Sequence, residues 1–316
     1  MFQRTALALC LAAASASPAL AAEYPSQPIQ LIVGYGPGGG TDVCARVLGQ
    51  HIGNTLGQSV VIENRPGAGS SLSINYVARQ KPDGYTLATF STGALLNQLL
   101  PVETTYDVTR DLTPIVQYAQ YQAGLLVRAD SAFQSVDDVI AAAKQDAKAI
   151  SYSTAGLGTP QHLTMERLAE MAGVSWTHVP YKSGPETITA LLRGDVQVMS
   201  QTAEWVPYVR DGRLRLLATY GAERMPGFDS APTLREAGYD LVAPSILGVV
   251  GPRGMSDDVV QRLASAFEAA TQTPEFANCA DQFGLKPDHM APEVFGRHLA
   301  STLEEWGPVV KELGLD

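Results

Sequence analysis

Residues 29–53 read IQLIVGYGPGGGTDVCARVLGQHIG and residues 149–173 read AISYSTAGLGTPQHLTMERLAEMAG. The two stretches follow one plan: a short apolar strand, a loop rich in glycine, a threonine near the helix start, then an amphipathic helix that stops at glycine. A strand that feeds a glycine loop into a helix is half of a βαβ unit, and parallel strands need such crossovers. A helix start also leaves several backbone N–H groups without intrahelical partners at the positive end of the helix dipole. Each half of the chain is therefore expected to hold one anion-binding loop, Gly36 to Thr41 in the first and Ala155 to Thr159 in the second.

Working outward, β-branched runs alternate with longer amphipathic stretches, the pattern of an α/β protein with mainly parallel sheets flanked by helices. Strands are expected at 29–33, 60–63, 85–89, 124–127, 150–153, 176–179, 196–199, 214–219 and 246–250. Helices are expected at 41–56, 71–79, 135–144, 160–171, 185–192, 257–270 and 292–313. Ser135 with Asp138 forms a capping box, and Thr159-Pro160 sets proline at the first helical position.

The first residues address the chain. Arg4, the apolar run Ala6 to Ala14, and Pro18-Ala19-Leu20-Ala21 have the layout of a cleavable secretory signal peptide, residues 1–21, with cleavage expected after Ala21. Of 316 residues 45% are hydrophobic and 17% charged, a globular composition, and the net charge of -10 argues against nucleic acid or an anionic membrane as partner. Export would leave Cys44 and Cys279 in an oxidising compartment, where they could form a disulfide or stay as two buried thiols.

Catalytic patterns are missing. The histidines, His51, His162, His178, His289 and His298, show no close metal-ligand spacing, there is no Cys-x-x-Cys, and no G-x-S-x-G elbow occurs. No enzyme, metal or cofactor is implied. Gly34-x-Gly36-x-x-Gly39 does match a dinucleotide fingerprint with Glu63 at the ribose position, but Pro37 removes an N–H from the phosphate turn. Asp42 stands at the helix start, where a carboxylate can cap backbone N–H groups or meet a ligand. His162, third in its helix, faces either the cleft or its own cap, and Trp205 follows a strand end, where α/β ligand crevices form.

Further segments extend these readings: ENRPGAG at 63–69, PDGYTL at 82–87, HVPYKSG at 178–184, DGRLRLLA at 211–218 and APTLREAG at 231–238. Together with Pro37-Gly38-Gly39, Asp42 and SYSTAGLGTPQHL at 151–163, they resemble the substrate-binding proteins of tripartite tricarboxylate transporters, the Bug or TctC family. The resemblance implies a periplasmic-binding-protein (Venus flytrap) fold with two lobes, 24–122 plus 246–316 and 123–245. It implies a monomeric periplasmic receptor that closes on a small organic carboxylate and delivers it to transporter membrane subunits; a ligand sensor for a membrane kinase and an NAD-dependent oxidoreductase are the alternatives. The expected ligand-binding residues are Tyr35, Gly36, Gly38, Gly39, Gly40, Thr41 and Asp42 on the first loop and Ala155, Gly156, Gly158, Thr159 and His162 on the second. Ser91, Thr92 and Trp205 are candidates for selecting the rest of the ligand. The chain departs from the family in having Gly34 where many members have proline, and Ser70-Ser71-Leu72-Ser73 where they carry glycines, which narrows the pocket wall or adds hydroxyl donors.

Overall fold

The computed structural model describes residues 24–101, 104–243 and 245–314. The signal peptide expected at 1–21 lies outside the described residues. Among the described residues eleven strands form two sheets: β1 Ile29–Val33, β2 Val60–Asn64, β3 Thr86–Ser91, β4 Leu112–Tyr121, β10 Leu247–Pro252 and β11 Leu285–Met290 in the first, and β5 Ala123–Arg128, β6 Ser151–Thr154, β7 Thr177–Pro180, β8 Val198–Thr202 and β9 Leu214–Thr219 in the second. The helices, in chain order, are α1 Gly40–Leu56, α2 Ser71–Val77, α3 Thr92–Leu96, α4 Val108–Asp111, α5 Val136–Gln145, α6 Pro160–Ala172, α7 Gly184–Arg193, α8 Val206–Arg210, α9 Asp257–Thr271, α10 Pro274–Phe283 and α11 Pro292–Glu312.

The first sheet runs β11-β4-β10-β3-β1-β2 and the second β7-β6-β8-β5-β9. In each, the strands flanking the glycine loop pair in parallel: β1 with β2 and β3, β6 with β7 and β8. The remaining pairings are antiparallel, so both sheets are mixed rather than mainly parallel. The reason is the connection between them. β4 ends at Tyr121 and β5 begins at Ala123, so one residue, Gln122, carries the chain across with no room for a helical crossover. The chain returns after β9 and re-enters the first sheet as β10, antiparallel to both neighbours.

Apolar residues sort onto the two sheets. Leu31 and Val33 of β1 pack with Leu48 and Ile52 of α1 and with Phe267 of α9, while Tyr152 of β6 packs with Leu163 and Leu168 of α6. Helix α11 joins the two cores: Phe295 and Leu299 are buried with Phe90 and Ile246 of the first sheet, whereas Trp306 and Val310 are buried with the second sheet's cluster. The apolar stripe of this helix is long enough for its last turns to share a buried cluster with Leu96 of α3 as well as with residues of the second sheet. Cys44 of α1 and Cys279 of α10 form a disulfide with their Cα atoms 5.8 Å apart.

Candidate functional site

Both glycine loops follow the C-terminal ends of parallel strands, the place where open α/β sheets leave a crevice. Between the sheets lies a cleft of about 1420 Å³. Tyr35, Gly36, Gly38, Gly39, Gly40 and Thr41 line it from the first sheet, with Ser91 and Thr92 beyond them. Ala155, Gly156 and Thr159 face it from the second.

The first loop is held by charge. Asp42, 2% exposed, accepts the Gly38 N–H at 2.9 Å, the Arg46 guanidinium at 2.9 Å and the Asn64 amide at 2.8 Å. Asn64 also donates to the Tyr35 carbonyl at 2.9 Å, tying both ends of the loop to the end of β2. Burial pushes the Asp42 pKa up, but the Arg46, Gly38 and Asn64 hydrogen bonds outweigh it and hold the carboxyl below its ordinary value. Asp42 thus turns back to its own loop and does not line the cleft, which corrects its assignment as a ligand contact. What remains open is the start of α1: its N-cap residue, Gly39, gives no side-chain cap, so the N–H groups of the first turn face the cleft with no intrahelical acceptor.

The second loop repeats the geometry with neutral groups. His162 stands third in α6, as Asp42 does in α1, and its Nδ1 accepts the Gly158 N–H at 3.1 Å. Gly38 and Gly158 both take left-handed backbone, with φ of 87° and 71°, which glycine adopts without a Cβ penalty. The His162 ring, 4% exposed, stacks on His178 at 4.1 Å. His178 Nε2 meets the Thr154 hydroxyl at 2.8 Å, and that hydroxyl donates to the Gly156 carbonyl at 2.9 Å. The hydrogen-bond pattern assigns both rings as neutral Nε2–H tautomers. Burial lowers the pKa of His162 to about 4, and burial with the His162 charge lowers that of His178 to about 3. His162 and Gly158 do not line the cleft; they buttress the loop, a correction to their assignment as ligand contacts. Unlike α1, α6 is capped, since Thr159 Oγ1 accepts the His162 N–H at 3.4 Å.

The other candidates divide. Tyr35 Oη bonds Ser91 Oγ at 2.9 Å, and the Thr92 hydroxyl accepts the Ile246 N–H at 2.7 Å, so the cleft wall at β3 is fixed by internal bonds. Thr41 Oγ1 is hydrogen-bonded to Tyr121 Oη of β4. Trp205 is misassigned: its ring is fully buried, donates to the Gln201 carbonyl at 3.1 Å and packs edge-on against Phe228. It is a core residue of the second sheet. The four residues that follow the ENRPGAG core explain the departure at Gly34. Ser70 and Ser73 hydrogen-bond each other at 3.1 Å, and a Cβ at Gly34 would sit 2.6 Å from Ser73 Oγ and collide with Ser70. The serines narrow the wall and use their hydroxyls internally: Ser73 donates to the Ser70 carbonyl at 2.6 Å, and Ser71 bonds Tyr106 at 2.9 Å. Glu63, proposed as a ribose acid, is taken by Gln30 and by Arg65 at 2.6 Å and lies outside the cleft.

Sequence reasoning missed several cleft residues: Tyr121 at the end of β4, Gln161 in the first turn of α6, Leu157 at the second loop's tip, and Glu204 after β8. Asn64 was within reach, since it lies inside the quoted ENRPGAG segment one residue after Glu63. Among the described residues no cluster of His, Cys, Asp and Glu is built to hold a metal, and no helix is long and apolar enough to cross a membrane.

Residues 44–315 match the model of a protein family described as the tripartite tricarboxylate transporter family receptor. A Cupriavidus necator protein, described as the UPF0065 protein in gbd 5'region, is 39% identical over 96% of this chain and 92% of its own length. Protein BugT of Bordetella pertussis is 32% identical over 95% of this chain and 93% of its own. Among solved structures, an R. palustris protein with adipate superposes with a TM-score of 0.84 at 30% identity, covering 92% of this chain and 99% of the other. MatC from Rhodopseudomonas palustris, with bound malate, gives 0.81 at 26% identity over 91% of this chain and 100% of that one.

Proposed function

This chain belongs to the tripartite tricarboxylate transporter receptor family, and on that premise we propose that it is a periplasmic solute receptor that captures a small organic carboxylate in the cleft and hands it to transporter membrane subunits. The observation that carries the reading is the start of α1, which opens onto the cleft with its first-turn N–H groups uncapped by any side chain. A carboxylate there accepts backbone N–H bonds and meets the positive end of a 17-residue helix. Two solved relatives of this fold hold adipate and malate, both dicarboxylates.

The lobes are 24–122 plus 246–316, and 123–245. Two chain passages lie side by side where they meet, since Ser245 Oγ donates to the Tyr121 carbonyl at 2.7 Å. This pair of passages is the hinge. A carboxylate seated on the first loop and touched by Thr159 and Ala155 from the second binds the closed state more tightly than the open one, and that difference drives closure. The protein acts as a monomer, without nucleic acid, metal or cofactor, and performs no chemistry on its ligand.

The test is thermal unfolding of the exported chain, stripped of ligand by refolding, against mono-, di- and tricarboxylates. A ligand at 100 times its dissociation constant adds about 2.7 kcal/mol, a rise of several degrees in Tm. Gly39→Val should abolish that rise while leaving the unliganded Tm within a few degrees, because the nearest atom to a Cβ there is the Gly36 carbonyl oxygen at 4.0 Å. An undiminished rise in the variant would remove the first loop from the site.

A further inference from the structure

Glu204 follows β8 in the turn Ala203–Trp205 and lines the cleft from the second sheet. Its carboxylate makes no hydrogen bond and no ion pair among the described residues. Of the cations in the cleft wall, Arg224 holds Glu236 at 2.8 Å and Lys286 holds Glu223 at 3.1 Å, while Lys182, two residues before Gly184, makes no ion pair with Glu204 among the described residues. Gly184, the first residue of α7, leaves the space this carboxylate occupies, since a Cβ there would collide with Glu204 Oε2. Burial pushes the Glu204 pKa up, the mark of a carboxylate kept away from water without a compensating donor. Its charge also bears on Tyr121, whose hydroxyl is bonded to Thr41 on the first glycine loop. A lone acceptor thus stands across the cleft from the loop that offers N–H donors.

A half-buried, unpartnered carboxylate is costly in the empty protein and favourable once a donor reaches it. We propose that Glu204 is a specificity-determining residue that receives an ammonium group of the ligand, making this a receptor for amino-bearing carboxylates in preference to plain dicarboxylates. The ligand then presents its carboxylate to the α1 start and its amine to Glu204, and the opposite charges of the two ends fix its direction in the cleft. A plain dicarboxylate of the same length would set a second carboxylate against Glu204, and like charges at that separation repel.

This inference rests on the receptor reading above, and the experiment separates the two. Calorimetric titration of the exported chain with two matched pairs, 4-aminobutyrate with glutarate and 5-aminopentanoate with adipate, measures what an amine in place of the second carboxylate contributes. The amino-bearing member of at least one pair should bind about 10- to 100-fold more tightly than its partner, the range of a hydrogen bond to a charged group. In Glu204→Gln that preference should fall at least tenfold. Gly184→Ala, which leaves the glutamate in the chain but displaces its carboxylate, should lower the preference in the same direction, so a folding defect in either variant does not decide the matter. Tighter binding of the plain dicarboxylates to the natural chain, or a preference unaltered in both variants, would overturn the inference and leave the receptor reading standing. Failure of every carboxylate to bind, with or without an amine, would overturn both.

Discussion

Gly38 and Gly158 occupy the same place in two loops, one residue before the helix cap, and each gives its N–H to the side chain four positions on. The acceptor is an ionised aspartate in the first loop and a neutral histidine in the second. The surroundings differ accordingly. Asp42 gathers Arg46 and Asn64, and α1 is stapled to α10 by the Cys44–Cys279 disulfide, whereas His162 leans on the His178 ring and α6 carries a threonine cap. One backbone geometry has been stabilised by two chemistries. The charged version leaves its helix start open to a ligand, and the neutral version has already satisfied part of its own.

The largest break in that comparison is the disulfide. It closes 235 positions of chain, and its replacement by Cys44→Ala with Cys279→Ala should cost about 2–4 kcal/mol and lower Tm by several degrees. Hydrogen exchange locates the loss: α1 and α10 should exchange faster while α6 stays as it was. Equal loosening of both helices would mean that the two loops are not independently anchored.

Next in size are the loop anchors. Asp42→Ala leaves the Gly38 N–H and the Asn64 amide without their acceptor, and four bonds to a buried charge predict a loss of about 2–3 kcal/mol in denaturant unfolding. His162→Ala removes one neutral bond and a ring contact and should cost about 1–2 kcal/mol. A larger cost for the histidine variant would invert the comparison. Acid separates the loops as well. Folding holds His162 at about 4 and His178 at about 3, below their ordinary 6.5, so as pH falls the unfolded chain takes up those protons first. Stability from the second loop is therefore intact above about pH 6.5, declines below it and levels off only beneath the folded-state values. Asp42, held below its ordinary 3.8, keeps the first loop until more acid conditions. The pH profile of Tm should flatten between 6.5 and 4 in His162→Gln with His178→Gln; an unchanged slope would refute the assignment of that window to the ring pair.

The parts of the molecule legible in the sequence are those with local signals. β1, β9 and the start of α6 fall where apolar runs and Thr159-Pro160 set them. Thr273-Pro274 carries the same signature at α10, whose short amphipathic stretch went unread. β4 was passed over because Pro114 and the glutamines at 117 and 120 interrupt its apolar run; Pro114 sits at a register shift against β10, and Gln117 donates to Asp288. β11, with Lys286, Pro287 and Asp288, is an edge strand that reads as a loop. At the site, sequence spacing located both helix starts but not the direction of the third side chain in each. Asp42 and His162 were each read as either capping their own loop or meeting a ligand, because the spacing alone does not say whether a short loop will curl back to meet them. Trp205 was read from its place after a strand, and only packing against Phe228 reveals that the strand end turns inward.

The smallest effect is the coupling between Gly34 and Ser70, where the first loop meets the wall behind it. Gly34→Ala would drive its Cβ into Ser70 and to 2.6 Å from Ser73 Oγ, an overpacking that should cost about 1–3 kcal/mol. Ser70 has φ of 82°, unfavourable for serine, so Ser70→Gly relieves backbone strain while giving up one bond to Ser73, and its own effect should be within about 1 kcal/mol. Because the two residues claim the same space, the double variant should recover part of what Gly34→Ala loses, with a coupling of about 1 kcal/mol in denaturant unfolding. The wall behind the second loop has no equivalent pair, since Thr154 stands where Gly34 does and is bonded to His178. Strict additivity would show that the two departures from the family pattern arose at unrelated places, and a measurable coupling would show that the serines and the glycine form one adjustment of the pocket wall.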